Sequence, residues 1–390
     1  SVKDATTILD AFRDKTTGKY FDALDPYTAL PRVIASKTPY VDALTPAGTA
    51  KPLAGMRIGV IRALFIKKAP GDAAVSDGIN KELQVLKDLG AELVEDINPK
   101  YPDDPSIPNM TFGFNDAFAE LLPFHMPEIF SWKKDGKAMF EVPGWDVASR
   151  KYLIALSARK APLPATMDFN SVVANPPADP DAITGYTFAF QFGQYLALRG
   201  DSRVYDWQTL NANAKYYNDT RRVAMKNWEN KEMDIRTNAI NHTIKRRDTL
   251  RMAMIKVLEQ NKLDMFVNPV NLTLQGKIGG ATIGGPGGGG AGGPAFGYGA
   301  MLGIPEVFIP AGFAKTTYDP KFALNKDATK YEGVENSVPT KLGGIGLPYN
   351  IAFWAEPGQE SNLLKAASAY EAATHHRKAP PAFGPVKGEI

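Results

Sequence analysis

Ser157 and Lys160 stand three residues apart, a spacing that puts a lysine one helical turn from a serine and could let it serve as base for a serine nucleophile. The companion motifs of enzymes built on that spacing are missing, and so short a match is expected by chance in 390 residues. Ser1 could use its own α-amino group as base, the device of N-terminal-nucleophile hydrolases. It heads an amphipathic helix pattern rather than a strand, which leaves that reading a remote alternative. The four histidines, at 125, 242, 375 and 376, are scattered, and no His/Glu spacing builds a metal site. His375 and His376 suit a solvated helix end, where imidazole complements the helix dipole. Cysteine is absent, which removes disulfides, thiolate metal sites and a cysteine nucleophile. No metal is expected.

The densest glycine run, GKIGGATIGGPGGGGAGGPAFGYG at 276–299, invites a phosphate-cradle reading. It lacks the Gly-Lys-Ser/Thr ending of such loops. Its G-x-G-x-x-G match at 287, 289 and 292 follows from composition, with no strand–turn–helix around it. Glycine this dense costs too much backbone entropy for a helix or strand interior, so the segment reads as loop beside a pocket.

The elements that would carry a site are clearest near the N-terminal third. Arg57-Ile58-Gly59-Val60-Ile61 has the β-branched character of a buried strand. Ile79, Leu83, Leu86 and Leu89 fall on one face of a helix over 76–89, Gly90 is placed to end it, and Ala91-Glu92-Leu93-Val94 reads as a second strand. Strand, helix, glycine, strand is the βαβ unit of a parallel sheet covered by helices. At the start of the chain, Ala5, Ile8, Leu9 and Phe12 share one face of a helix, which is expected to be the packed face. The Phe112–Leu122 stretch suits a helix, while residues 186–198 have aromatics at both two- and four-residue spacing and leave helix and strand open. Residues 205–261 read as mostly helical, 263–269 and 305–310 as short strands, 315–342 as a polar insertion, and 346–354 as a strand before a final amphipathic helix.

Composition narrows the function classes. A hydrophobic share of 44% with 22% charged residues is that of a soluble globular protein. The 45 basic and 42 acidic residues leave a net charge of +3, too small a field to attract nucleic acid. Lys245, Arg246 and Arg247 are followed by Asp248 and read as a solvated helix face. No apolar run approaches the roughly 20 residues of a membrane-spanning helix, and SVKDATTILDAF has no signal-peptide pattern. The expectation is a soluble protein, cytoplasmic rather than secreted, with no membrane partner. The chain begins without methionine, which suggests upstream sequence removed or not included.

Four segments, in order, resemble the amidase-signature family. SVKDATTILDAF is similar to the helix that follows the family's signature region. PLAGMRIGV with VSDGINKELQVLKDLGAELVED resembles its L-x-G-x-R-I-G-V strand, helix and L-G-A-x-V strand. LDMFVNPV resembles its D-x-x-x-x-P strand. MLGIPEVFIPAGF and GLPYNIAFWAEPGQESNLLKAASAYEAAT resemble its closing blocks. The resemblance implies an α/β fold, an α/β/α sandwich around a mixed sheet, and hydrolysis of a small-molecule carboxamide without metal or cofactor. It places 1–390 as the C-terminal portion of a single domain: a βαβ unit at 57–94, a divergent and mostly helical 100–262, and closing strands, glycine loop and helix at 263–390.

In that family one serine attacks the carbonyl, a second, held by a cis peptide, relays protons to a buried lysine, and backbone amides hold the oxyanion. The Gly-Gly-Ser-Ser-Gly-Gly loop that carries these groups, and the lysine before it, belong upstream of Ser1 and do not occur here. No catalytic residue is therefore assigned in this chain. An N-terminal segment or companion chain would supply them, and a sheet lacking its partner strands would expose open edges. What this chain could contribute is pocket wall: Phe296 and Tyr298 beside the glycine loop, and Tyr186, Phe188 and Phe190, aromatics that suit an apolar or aryl acyl group. Plain core packing is the competing reading for each, and the favoured one for Tyr186, Phe188 and Phe190. A non-catalytic amidase-like subunit or binding protein is the alternative function, and a homo-oligomer is compatible with either.

Overall fold

The structure, a computed structural model, describes residues 1–13, 38–65, 70–96, 104–134, 136–173, 184–215, 245–270, 272, 274, 299, 302–324, 326–329 and 331–379. The chain divides into two compact units. The first holds residues 1–118, 168–171 and 251–390, and the second holds 119–167 and 172–250. In chain order the elements are α1 (Val2–Phe12), β1 (Arg57–Ile61), α2 (Pro70–Asp88), β2 (Glu92–Asp96), α3 (Phe114–His125), β3 (Lys133–Lys134), β4 (Lys137–Ala138), α4 (Arg150–Ser157), α5 (Phe169–Val173), α6 (Thr184–Arg199), α7 (Trp207–Asn213), α8 (Lys245–Asn261), β5 (Met265–Pro269), β6 (Glu306–Ala314), β7 (Thr316–Leu324), β8 (Tyr331–Lys341), β9 (Leu347–Trp354) and α9 (Glu360–Thr374).

The first unit is built on a mixed five-stranded sheet of order β2-β1-β5-β9-β6. β1 runs parallel to both β2 and β5, while β9 is antiparallel to β5 and β6. The βαβ unit read from the sequence is present. Helix α2 ends where expected: Gly90 takes φ +102, and the Gly90 and Ala91 N–H groups donate back to Lys87 and Leu86, a left-handed cap that only glycine adopts cheaply.

Alternate strand residues point to opposite faces. Ile58, Val60, Leu93, Met265, Val267, Ile351 and Phe353 join one buried cluster with Ile79, Leu83 and Leu86 of α2 and with Leu363, Ala367 and Tyr370 of α9. Each large apolar side chain sealed there contributes about 1.5–3 kcal/mol. On the other face the Phe266 and Trp354 rings pack at a tilt, 4.9 Å between centroids, with Phe114 5.5 Å from Phe266 and Phe169 6.3 Å from Trp354. Gly59 makes room for this: a Cβ there would lie 2.6 Å from Phe266 Cδ1 and 2.9 Å from Leu263 Cδ1. The architecture is α/β around a mixed sheet, as the sequence leads one to expect.

Two expectations need correction. In α1 the buried residues are Val2 and Thr6, with Leu9 half-buried, whereas Ala5, Ile8 and Phe12 are exposed. The reason is anchoring. Ser1 and Asp4 form a capping box, and the Val2 N–H donates to Glu371 Oε2 of α9 at 2.9 Å, which rotates the Val2–Thr6 face inward. The second correction is the "polar insertion" at 315–342. It is a long antiparallel hairpin, β7 paired with β8 through bulges after Asp319 and Lys321.

In the second unit, residues 184–199 resolve the open choice as helix α6. Tyr152 of α4 is fully buried against Phe130 and Trp145, and its hydroxyl donates to the Pro162 carbonyl at 2.9 Å. Burial pushes that phenol up to about 12. Lys245 pairs with Glu128 at 2.9 Å, in keeping with a solvated face for the start of the basic run.

Candidate functional site

Strands β2, β1 and β5 all end on the same side of the sheet. From β1 the chain crosses through α2 to β2, and it returns later to enter β5 on the opposite flank of β1. In open α/β sheets such a reversal opens a crevice beyond the carboxyl ends of the strands, where ligands bind. Here that end carries Arg62 after β1, Glu95 and Asp96 closing β2, and Asn268 near the end of β5.

Arg62 is buried, 6% exposed, and Glu95 is fully buried at 0%. The Arg62 Nε–H donates to Glu95 Oε1. Nη1 donates to Asn80 Oδ1 of α2 at 2.8 Å, and Nη2 lies 3.8 Å from the Asp104 carboxylate. The guanidinium also covers the Phe65 ring at 5.0 Å. Glu95 uses its other oxygen to accept the Asp104 N–H at 3.1 Å. Burial pushes the Glu95 carboxyl above its ordinary range, and the Arg62 hydrogen bond and charge pull it partly back. This network ties the ends of two strands, a helix and the 104–110 segment together.

Asp96 points to the other face. Its Oδ1 accepts the Phe114 N–H at 3.3 Å, at the start of α3, and Gly113 leaves room for the carboxylate where a Cβ would collide. Burial pushes Asp96 up to about 7; the Phe114 N–H opposes that, and the charges of Asp116 and Glu95 add to it. Asp96 can therefore hold or release a proton near neutrality. Asn268, fully buried, accepts the Trp354 indole N–H and donates to the Pro269 carbonyl at 2.8 Å, which fixes the indole in the aromatic face.

At the opposite end of the sheet, Glu306 opens β6. Its Oε2 accepts the Gly299 N–H at 2.7 Å, and its Oε1 is buried with no hydrogen-bond partner among the described residues. Burial pushes this carboxyl up to about 7, opposed by the Gly299 hydrogen bond.

The serine–lysine spacing at Ser157 and Lys160 does not make a dyad. The Ser157 hydroxyl, in the last turn of α4, donates to the Ile154 carbonyl, and Arg159 beyond the helix takes φ +56, which breaks the helical register before Lys160. A serine and a lysine do meet elsewhere: the Lys87 ammonium donates to Ser106 Oγ at 3.1 Å. That pair lies on the surface, where a last-turn lysine complements the α2 dipole; it is not the buried lysine a serine base requires. Ser1 is occupied in capping α1, with its α-ammonium 3.0 Å from Asp4.

Of the pocket-wall residues, Phe296 and Tyr298 lie outside the described residues. Tyr186, Phe188 and Phe190 fall on α6, and their side chains lie outside the description as well. The carboxyl-end cluster and Glu306 were missed in the sequence reading. Single residues carried a signal, the acidic pair Glu95-Asp96 ending an apolar strand and a lone glutamate opening another, but nothing in the sequence joins Glu95 to Arg62. Among the described residues no group of three or more His, Cys, Asp or Glu could hold a metal ion, and no helix is long and apolar enough to cross a membrane.

No family model matches the chain, and no curated protein matches it. Solved structures do. The chain is similar to the peptide amidase from Stenotrophomonas maltophilia at 16% identity and a TM-score of 0.47, covering 97% of this chain and 53% of that one. It is similar to an amidase family protein from Bacillus anthracis str. Ames at 15% identity and a TM-score of 0.48, covering 97% and 48%. It is also similar to a bacterial aryl acylamidase of the amidase signature family at 14% identity and a TM-score of 0.38, covering 96% and 51%. The chain thus spans about half the length of the solved structures it matches.

Proposed function

We propose that this chain is the scaffold portion of an amidase-type hydrolase, one that cleaves a carboxamide C–N bond with a serine nucleophile. One observation carries the reading. The four sequence segments that resemble the amidase-signature family are separated by up to hundreds of residues, yet they assemble into one unit. The second segment supplies β1, α2 and β2, the third supplies β5, and the fourth supplies β6, β9 and α9, so together they form the whole five-stranded sheet. The first segment, α1, is hydrogen-bonded to the last through Val2 and Glu371. Chance matches have no reason to converge in this way.

The chemistry follows from the reading. A serine hydroxyl adds to the amide carbonyl, its proton passes through the second serine toward the lysine, and backbone amides hold the oxyanion. The amine leaves carrying a proton, and water then releases the acid from the acyl-serine. Those groups stand on an upstream segment or a companion chain. This chain provides the sheet on which they sit, with Phe296, Tyr298, Tyr186, Phe188 and Phe190 as wall for an apolar acyl group. No metal or organic cofactor takes part.

The test is hydrolysis by the protein expressed from its complete gene, with benzamide and anilides as substrates. Release of ammonia or aniline together with the carboxylic acid is the expected result. A complete gene that encodes no serine-rich signature loop overturns the proposal in favour of a non-catalytic amidase-like subunit.

A further inference from the structure

Glu306 has one more oxygen than its structural duty requires. Oε2 accepts the Gly299 N–H at 2.7 Å, the Ile304 N–H returns to the Gly299 carbonyl at 2.9 Å, and Arg251 Nη1 donates to the Leu302 carbonyl at 3.1 Å. Together these latch Gly299 and residues 302–305 to the start of β6, where Glu306 is paired in register with Trp354. A Cβ at position 299 would stand 2.6 Å from Oε2, so the close approach depends on glycine. The latch needs a single acceptor, and a glutamine would supply it without a buried ionisable group. Oε1 remains, buried and with no partner among the described residues. Among the described residues the Gly299 N–H acts on the carboxyl against its burial, and no basic side chain does.

A buried acceptor with no donor is costly, and natural structures keep such groups where a ligand or ordered water completes them. We propose that Glu306 is a ligand-recognition residue, its Oε1 accepting an N–H of a primary carboxamide. The chemistry of the surroundings selects that class. A carboxylate ligand would bring a second negative charge beside a half-buried carboxyl, with no basic side chain among the described residues to offset it. An ammonium would have to shed its hydration beside a single acceptor. A primary carboxamide brings an N–H donor with no charge to desolvate. Glu360 Oε2 is also buried and unpartnered, but Glu360 opens α9, whose dipole favours a carboxylate, so it needs no ligand to account for it. The choice of a carboxamide rests on the hydrolase reading above; the spare acceptor does not.

The test is calorimetric titration of the purified chain with benzamide and with N,N-dimethylbenzamide, which has no N–H. It is repeated on Glu306→Gln and Glu306→Ala, with thermal unfolding run on each to show that it is folded. The expected result is binding of benzamide at least tenfold tighter than its dimethyl analogue, a preference abolished in Glu306→Gln, which keeps an acceptor for Gly299 but turns an NH2 toward the ligand. Equal binding of the two probes, unchanged benzamide affinity in both variants, or no binding of benzamide overturns the proposal, leaving a trapped water as the partner of Oε1. The two readings fail separately. Hydrolysis by the complete protein with an unchanged benzamide KM in Glu306→Gln sinks this inference alone. Glu306-dependent benzamide binding without turnover of any amide by the complete protein sinks the hydrolase reading alone.

Discussion

Replacing Arg62 by alanine should be among the most destabilising single changes in the first unit. Arg62 and Glu95 are 6% and 0% exposed, so removal of the guanidinium leaves a carboxylate that solvent cannot reach and that keeps only the Asp104 N–H at 3.1 Å. It also strips Asn80 Oδ1 of its 2.8 Å donor and uncovers the Phe65 ring. Breaking a buried pair on one side costs about 3–5 kcal/mol, because the surviving charge stays buried and unpaired. The pH dependence follows from linkage. The folded-state pKa of Glu95 is already raised by burial, and Arg62 is what restrains it. Without Arg62 the folded state binds its proton more tightly than the unfolded state does, so stability falls as pH rises above the unfolded carboxyl value. The loss should therefore be larger at pH 8 than at pH 5. Urea denaturation followed by tryptophan fluorescence measures it, and a paired Arg62→Met, Glu95→Leu variant should recover most of the loss. A cost below about 1 kcal/mol, the range of exposed pairs, or a cost larger at pH 5, would refute the claim that this pair is sealed from water.

Three further changes follow from the same sheet. Asp96→Asn keeps an acceptor for the Phe114 N–H while removing a carboxyl raised from 3.8 to about 7, so its stability advantage over the parent should grow between about pH 4 and pH 7 and then level off; melting temperatures across that range check it, and an advantage confined to acid pH contradicts it. Trp354→Phe leaves the fully buried Asn268 Oδ1 without its donor and should cost about 1–3 kcal/mol, beyond any packing loss, in chemical denaturation. Gly59→Ala drives a Cβ to 2.6 Å from the Phe266 ring and should cost about 1–3 kcal/mol, whereas Gly48→Ala, with nothing within 4 Å of the added carbon, should cost less, its φ of +77 being the remaining penalty.

The sheet was legible wherever local pattern and burial agree. Ile58 to Ile61 and Leu93-Val94 are β-branched or apolar runs sealed on both faces, and Gly90 stands at a cap that needs its left-handed backbone. The β7–β8 hairpin was not legible. The sequence between Leu324 and Tyr331 contains neither Asn-Gly nor Asp-Gly, and two bulges interrupt the alternation that would have marked the strands. Helix α1 was recognised but its face was misjudged, because a bond from Val2 to a residue 369 positions away decides the rotation. β6 was read as ending at Pro310. It continues to Ala314 because the register shifts between Pro310 and Gly312, which accommodates a residue with no N–H to donate. The carboxyl-end cluster escaped for a different reason: Arg62, Glu95 and Asp104 are brought together only by parallel pairing, and no spacing along the chain announces that.

The central claim is that this chain builds the frame of a hydrolase whose nucleophile stands outside residues 1–390. The most direct measurement treats the amide-hydrolysing protein with a serine-directed fluorophosphonate and maps the labelled peptide by mass spectrometry. The account predicts loss of activity with the label on a serine upstream of Ser1 or on a companion chain. A label on a serine within residues 1–390, or turnover by this chain alone, would contradict it.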